Sequence, residues 1–150
     1  MTQRLAVALI LAVTACASTG RAERIAKLSP EAAQQYARYN QFMTERQRDV
    51  YLEAQTDLER TSQIEGLKIE EMLSQFPKPV QDAIWAQSIM LGMNHAAVLL
   101  SWGGPWQREF DDDQLRKGNE VERWYYKRGD KSAYVTFTNG VVSDYDDGKR

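Results

Sequence analysis

Ala133-Tyr134-Val135-Thr136-Phe137-Thr138-Asn139-Gly140-Val141-Val142-Ser143-Asp144-Tyr145 is the stretch that decides the fold class. Its first six residues alternate with the period of a strand. Asn139 and Gly140 both tolerate positive φ, so the pair reads as a type I′ hairpin turn. Val141 to Tyr145 is then the return strand. Upstream, Val121-Glu122-Arg123-Trp124-Tyr125-Tyr126 reads as a third strand, joined through a turn at Gly129-Asp130, and Trp106 to Phe110 is a candidate fourth. Before these the period is helical. Pro79 suits a helical first turn, and Val80, Ala83, Ile84 and Leu91 form an apolar face ending near Gly92. Asn94 can cap a second helix whose inner face is Ala97, Val98, Leu100, Ser101 and Trp102. Gly103 and Gly104 stop that helix, and Pro105 prevents its continuation. The expected class is α+β: an N-terminal helical region, then two short helices packed on a three- to four-stranded antiparallel sheet.

The helical region begins at Ser29-Pro30-Glu31, where Ser29 can accept from unpaired amides and Pro30 fits the first turn. Thr44-Glu45-Arg46-Gln47 and Thr56-Asp57-Leu58-Glu59 are capping-box patterns, so the region divides into several helices. Tyr36, Met43 and Val50 recur at sevens, and Leu58, Ile64, Leu67, Met72 and Leu73 continue an apolar stripe. That stripe either packs on the rest of the domain or forms a partner-binding arm. Phe76-Pro77-Lys78-Pro79 breaks the pattern. The layout is thus a signal segment over 1–15, a tether over 16–28, a helical extension over 29–76 and an α+β domain over 77–150. Gln47 to Arg60 resembles the Tyr-Leu…Thr-x-x-Glu-Arg segment of GWxTD-type domains, but the Trp-containing signature is missing and no function is carried over.

The apolar run Leu5 to Ala12 is too short to span a hydrocarbon core of about 30 Å. It leads into Val13-Thr14-Ala15-Cys16, which resembles a lipobox and contains the only cysteine of the chain. The resemblance implies cleavage before Cys16, acylation there (palmitate among the chains), and anchoring in a membrane. Ala17 and Ser18 follow, with no Asp to resemble an inner-membrane retention signal, so the periplasmic face of the outer membrane is the expected address. An ordinary secretory signal with a stray cysteine is the rival reading. The formal net charge of −2 argues against nucleic acid as a partner. A lone cysteine permits no intrachain disulfide, so packing alone must stabilise the fold.

The order of elements brings a family into view. Ile89-Met90-Leu91-Gly92-Met93-Asn94, then Val98, then Trp102-Gly103-Gly104-Pro105 resembles the SmpA/OmlA (BamE-like) lipoproteins. Trp124-Tyr125-Tyr126 and Phe137-Thr138-Asn139-Gly140-Val141-Val142 match that family's strand and hairpin, extending the resemblance over residues 80–146. Gly92, Met93, Val98, Gly103, Pro105, Trp124, Tyr126, Phe137 and Gly140 are the matching structural positions. Asn94 stands where Thr is usual, Trp102 where Leu is common, and region 30–76 has no counterpart in the small members. The resemblance implies a non-enzymatic accessory factor of outer-membrane barrel assembly or of envelope integrity, working by contact with barrel-assembly subunits.

The residues offer little chemistry. His95 is the only histidine and is expected to face solvent early in its helix. A zinc site would then need carboxylates alone. Asp111-Asp112-Asp113 reads as a solvated loop and Asp144-x-Asp146-Asp147 as a charged tail, since the twelve-residue calcium pattern is absent. Arg128-Gly129-Asp130 is explained by a hairpin turn, and no phosphate loop appears. No catalytic residue, metal ligand or cofactor is assigned. Trp102 and Trp106, flanking Pro105, are the candidate interaction surface; core packing is the other reading, more so for Trp124. The functional expectation is a lipid-anchored periplasmic protein acting through protein contacts. The alternative is a structural, self-associating envelope lipoprotein whose helical arm is the interaction element.

Overall fold

In the computed structural model, which describes residues 20–128 and 131–148, several helices start where the sequence supplies a cap. Ser29 Oγ accepts from Ala32 N at 3.1 Å and opens α1 (Pro30–Tyr39). A single 3₁₀ turn follows over Asn40–Phe42. Thr44 and Gln47 form a reciprocal capping box at α2 (Glu45–Glu53), and Thr56 and Glu59 form another at α3 (Asp57–Gly66). A short helix, α4 (Ile69–Leu73), straddles the division between two compact units, which falls between residues 69 and 70. The sequence places that boundary later, at the Pro77-Pro79 break. Cys16, the expected signal segment over 1–15 and the expected turn at Gly129-Asp130 lie outside the described residues.

The N-terminal unit closes a core of its own from Tyr36, Met43, Tyr51, Leu52 and Ile64, with Ile25, Leu28, Tyr39 and Leu67 packed against it. The phenol oxygen of fully buried Tyr51 lies 2.8 Å from Ala32 O and 2.9 Å from Gln35 Oε1, and burial pushes its pKa up to about 12. Arg60 ties the α2–α3 turn: its Nε donates to Tyr51 O, its guanidinium also reaches Ala54 O, and Nη1 pairs with Asp57 at 2.7 Å. Two expectations fail here. Val50 and Leu58 are exposed rather than continuing the stripe, because each capping box starts a new helix and resets the helical phase. Tyr51 and Leu52 turn inward instead. Residues 20–28 are not a tether. Residues 20–26 are helical, Arg21 pairs with Glu45 at 3.0 Å, and Arg24 pairs with Asp49 at 3.1 Å.

Acid should loosen this unit. Hydrogen bonds from Ser29 and then Arg60 hold Asp57 below its ordinary 3.8. Backbone amides of Thr56 and Gln55 hold Glu59 below its ordinary 4.5. The unfolded chain therefore binds these protons first, so the stabilisation is complete above the ordinary values and is lost as pH falls through the lower, folded ones. The melting temperature of the full chain, followed by circular dichroism, should fall between about pH 5 and pH 2. Glu59→Gln should flatten that slope; an identical slope in the variant would refute the assignment.

The C-terminal unit holds α5 (Lys78–Trp85), α6 (His95–Trp102), β1 (Gln107–Phe110), α7 (Asp112–Arg116), β2 (Val121–Arg128), β3 (Lys131–Thr138) and β4 (Val141–Asp146). The four strands form an antiparallel sheet in the order β1-β2-β3-β4, so the fold is α+β. Asn139 and Gly140 take φ of 51° and 83°, as a type I′ turn requires. A bulge at Thr136/Phe137 leaves Ser143 as the extra residue on β4. The inner face carries Trp124, Tyr126, Ala133, Val135, Phe137 and Val142, buried together with Ala97 and Val98 of α6 and Ile84 of α5.

Helix α5 ends well before Gly92. Gln87 adopts φ of 50° and Ser88 N closes onto Ala83 O at 2.9 Å, a left-handed stop that no glycine signals. Leu91 is consequently exposed rather than on a helical core face. Gly92, at φ 85°, donates to Val142 O, and Val142 donates back to Met93 O. With the Asn94–Val141 bridge this segment covers the first two residues of β4 on its outer edge. Asn94 caps α6 through Ala97 N, and Gly103, at φ 79°, ends it. Asp111-Asp112-Asp113 is not a loop: Asp111 accepts from Gln114 N and starts α7, where early acidic residues suit the helix dipole.

Candidate protein-contact surface

Alternation along β2 sorts its residues between two environments. Glu122, Trp124 and Tyr126 point to the helices, while Arg123, Tyr125 and Lys127 occupy the opposite face. Trp106 joins that second face from the entry to β1. It is 57% exposed, its ring lies 6.5 Å from that of Tyr125, and Lys127 Nζ sits 5.0 Å above it. Tyr125 Oη donates to Glu109 Oε2 at 2.8 Å. Arg123 donates to Thr136 Oγ1 and lies over the Tyr134 ring. Tyr134 in turn donates to Asp144, which raises its pKa. The result is an aromatic and charged face whose side chains are already held in place.

At the far end of β1 a cavity of about 380 Å³ opens between Glu109, Phe110, Arg123 and the first turn of α7, with Asp111, Asp112 and Asp113 on its wall. Phe110 is 61% exposed. Trp102, the other tryptophan singled out from the sequence, is half-buried: Nε1 donates to Gln87 O at 2.9 Å and its ring meets Tyr126 edge-on at 5.2 Å. Trp102 therefore joins α6 to the turn after α5, while Trp106 projects outward. Trp124 is core.

The inner face holds a polar cluster. Glu122 is buried, and its carboxylate accepts from Trp124 Nε1 and meets His95 Nε2 at 2.9 Å. His95 does not simply face solvent. Its ring stacks on Phe137 at 4.0 Å and lies 5.1 Å from Trp124, so it clamps the start of α6 to the sheet. Both Glu122 oxygens are thereby engaged. Tyr126, whose pKa burial raises, directs its hydroxyl to Gly103 O. The motif positions serve the fold: Met93, Val98, Trp124, Tyr126 and Phe137 are buried, and Gly92, Gly103 and Gly140 take positive φ. Pro105 is half-buried between Gly104 and Trp106.

Among the described residues no three His, Cys, Asp or Glu side chains are grouped to hold a metal ion, and no helix is long and apolar enough to cross a membrane. Lys127, Tyr125 and Arg123 were missed from the sequence. Their signal was the period of β2, once Trp124 and Tyr126 were assigned inward. The chain matches no family model, no curated protein and no solved structure.

Proposed function

We propose that this protein is anchored by acylated Cys16 at the periplasmic face of the outer membrane, does no chemistry of its own, and works by binding another protein. The observation that carries this reading is Trp106, exposed and braced by Lys127 and Tyr125 on the sheet face away from the helices. A large ring held in one orientation gives up little side-chain entropy on binding, which is why such rings anchor interfaces. The resemblance over residues 80–146 suggests the setting, an accessory role in outer-membrane assembly or envelope integrity. The test is cross-linking in intact cells from a photoreactive residue at exposed Ser132, which is paired with Lys127 across the strands. Adducts to barrel-assembly subunits are expected.

A second reading keeps the anchor but makes the N-terminal unit a self-associating structural arm. It is favoured by an open groove of about 430 Å³ lined by Met43, Val50 and Leu67. Adducts to the chain itself and to nothing else would select it.

The anchor has its own test. Cys16→Ser removes the thiol that acylation requires. The variant should accumulate as an uncleaved, unlipidated precursor, visible as a mass difference. A processed and soluble product would mean an ordinary secretory signal instead.

A further inference from the structure

We propose that the free edge of β1 receives an extended segment of the protein partner, paired as an additional strand and carrying a lysine or arginine side chain into the acidic cavity beside Phe110. This rests on the protein-contact reading above and specifies its mode. The register pairs Gln107 with Tyr125 and Glu109 with Arg123, and Asp111 N donates to Val121 O at 2.9 Å. Main-chain groups of an antiparallel strand point alternately to either side. Gln107, Glu109 and Asp111 therefore address β2, and Arg108 and Phe110 direct their N–H and C=O groups away from it. No strand or bridge among the described residues meets them there. On the opposite edge of the sheet, Gly92 to Asn94 meet the start of β4 at Val141 and Val142.

Exposed edges are commonly blunted by charge, brevity, bulges or proline. β1 is short, but its edge-facing charge is diverted: the Arg108 guanidinium lies 4.4 Å above the Trp124 ring. Exposed Trp106 and Phe110 bracket the edge at its two ends. Strand addition draws affinity from main-chain bonds and specificity from pockets that take alternate side chains. The cavity supplies such a pocket and sets its preference. Glu109, Asp111, Asp112 and Asp113 place four carboxylates around it against the guanidinium of Arg123. Asp113 already holds Arg116, Asp111 caps α7, and Glu109 accepts from Tyr125 and Gln107, so an incoming cation would meet Asp112 first, with Glu109 adding charge from across the cavity.

The probe is a capped five-residue peptide alternating valine and lysine, added to the full chain in neutral detergent and followed by amide NMR and hydrogen exchange. Exchange at the Arg108 and Phe110 amides should slow, and the valine–glutamate counterpart should bind at least about tenfold more weakly. N-methylation of the peptide's alternate amides, tried in both sets, should weaken binding by a similar factor in the set that faces β1. Arg108→Pro removes an N–H that the β2 ladder does not use, and should abolish that protection; Asp112→Asn, which leaves the strand untouched, should lower affinity for the lysine peptide alone. No binding, no protection at Arg108 and Phe110, or equal binding of both methylated peptides would overturn the proposal. In cells the two readings separate. If the Ser132 adducts persist in folded Arg108→Pro, the strand mode is wrong and the protein-contact reading stands. If they vanish, the strand mode is supported. If the parent forms no adducts to another protein, the contact reading itself fails.

Discussion

Trp124→Ala is expected to destabilise the C-terminal unit by about 3–5 kcal/mol, the range for removing a large aromatic from a packed core. The ring is 2% exposed and sits 4.8 Å from Phe137 and 5.1 Å from His95, with Arg108 across its other side. Alanine would leave a cavity bounded by three elements that cannot close on it independently. It would also remove the indole donor from Glu122, leaving a buried carboxylate served by His95 alone. A buried acceptor that loses its donor adds about 1–3 kcal/mol. Against a typical stability of about 5–15 kcal/mol, that is enough to leave the unit partly unfolded at ordinary temperature. Urea titration of the full chain measures it through the fluorescence midpoint of the remaining tryptophans, Trp85, Trp102 and Trp106, all of which lie in this unit. Trp124→Phe separates the two contributions, because it keeps most of the packing and loses the donor, so it should fall between parent and alanine variant. A midpoint for Trp124→Ala equal to that of the parent would show that the ring is not core.

Trp106→Ala should do the reverse. The side chain is mostly in water, so its loss should move stability by less than about 0.5 kcal/mol. Binding should suffer by about 2 kcal/mol or more, a loss of roughly thirtyfold, as for an anchor residue near the centre of an interface. The cation and the phenol that brace the ring are on the same strand, so the substitution also frees Lys127 to reorient. The readout is the yield of Ser132 cross-links beside the melting temperature of the same preparation. Full cross-link yield in Trp106→Ala would move the contact elsewhere on the protein. Lost yield together with a large drop in melting temperature would mean that the ring supports the fold instead.

Much of the architecture could be read from local signals. The Asn139-Gly140 turn, the alternation around it, the Asn94 cap and both threonine capping boxes each act over four to six residues, and all formed as expected. Where reading failed, the deciding interaction was distant or unsignalled. Gln87 turns left-handed to close a backbone bond, without the glycine that would have announced it. Val50 continued a sevenfold spacing on paper, yet the phase that mattered was that of a helix restarted at Thr44. Arg21 and Arg24 read as tether charges until α2 supplied Glu45, Asp49 and Glu53.

The candidate surface divides in the same way. Trp106 stood out as an aromatic beside a proline, but nothing near it in the chain distinguishes it from Trp102, the other candidate for the interaction surface. Pairing of β1 with β2 sends Trp106 out over Lys127, and packing of α6 draws Trp102 onto Tyr126. His95 met Glu122 from twenty-seven residues away. By itself the sequence determined the α+β class, the hairpin and the capped helix starts at Ser29, Thr44, Thr56 and Asn94, because periodicity and capping are short-range properties of the chain. Only the tertiary structure decided which tryptophan faces water, what the lone histidine contacts and which sheet edge stays open, because burial is set by partners that the sequence brings from far apart.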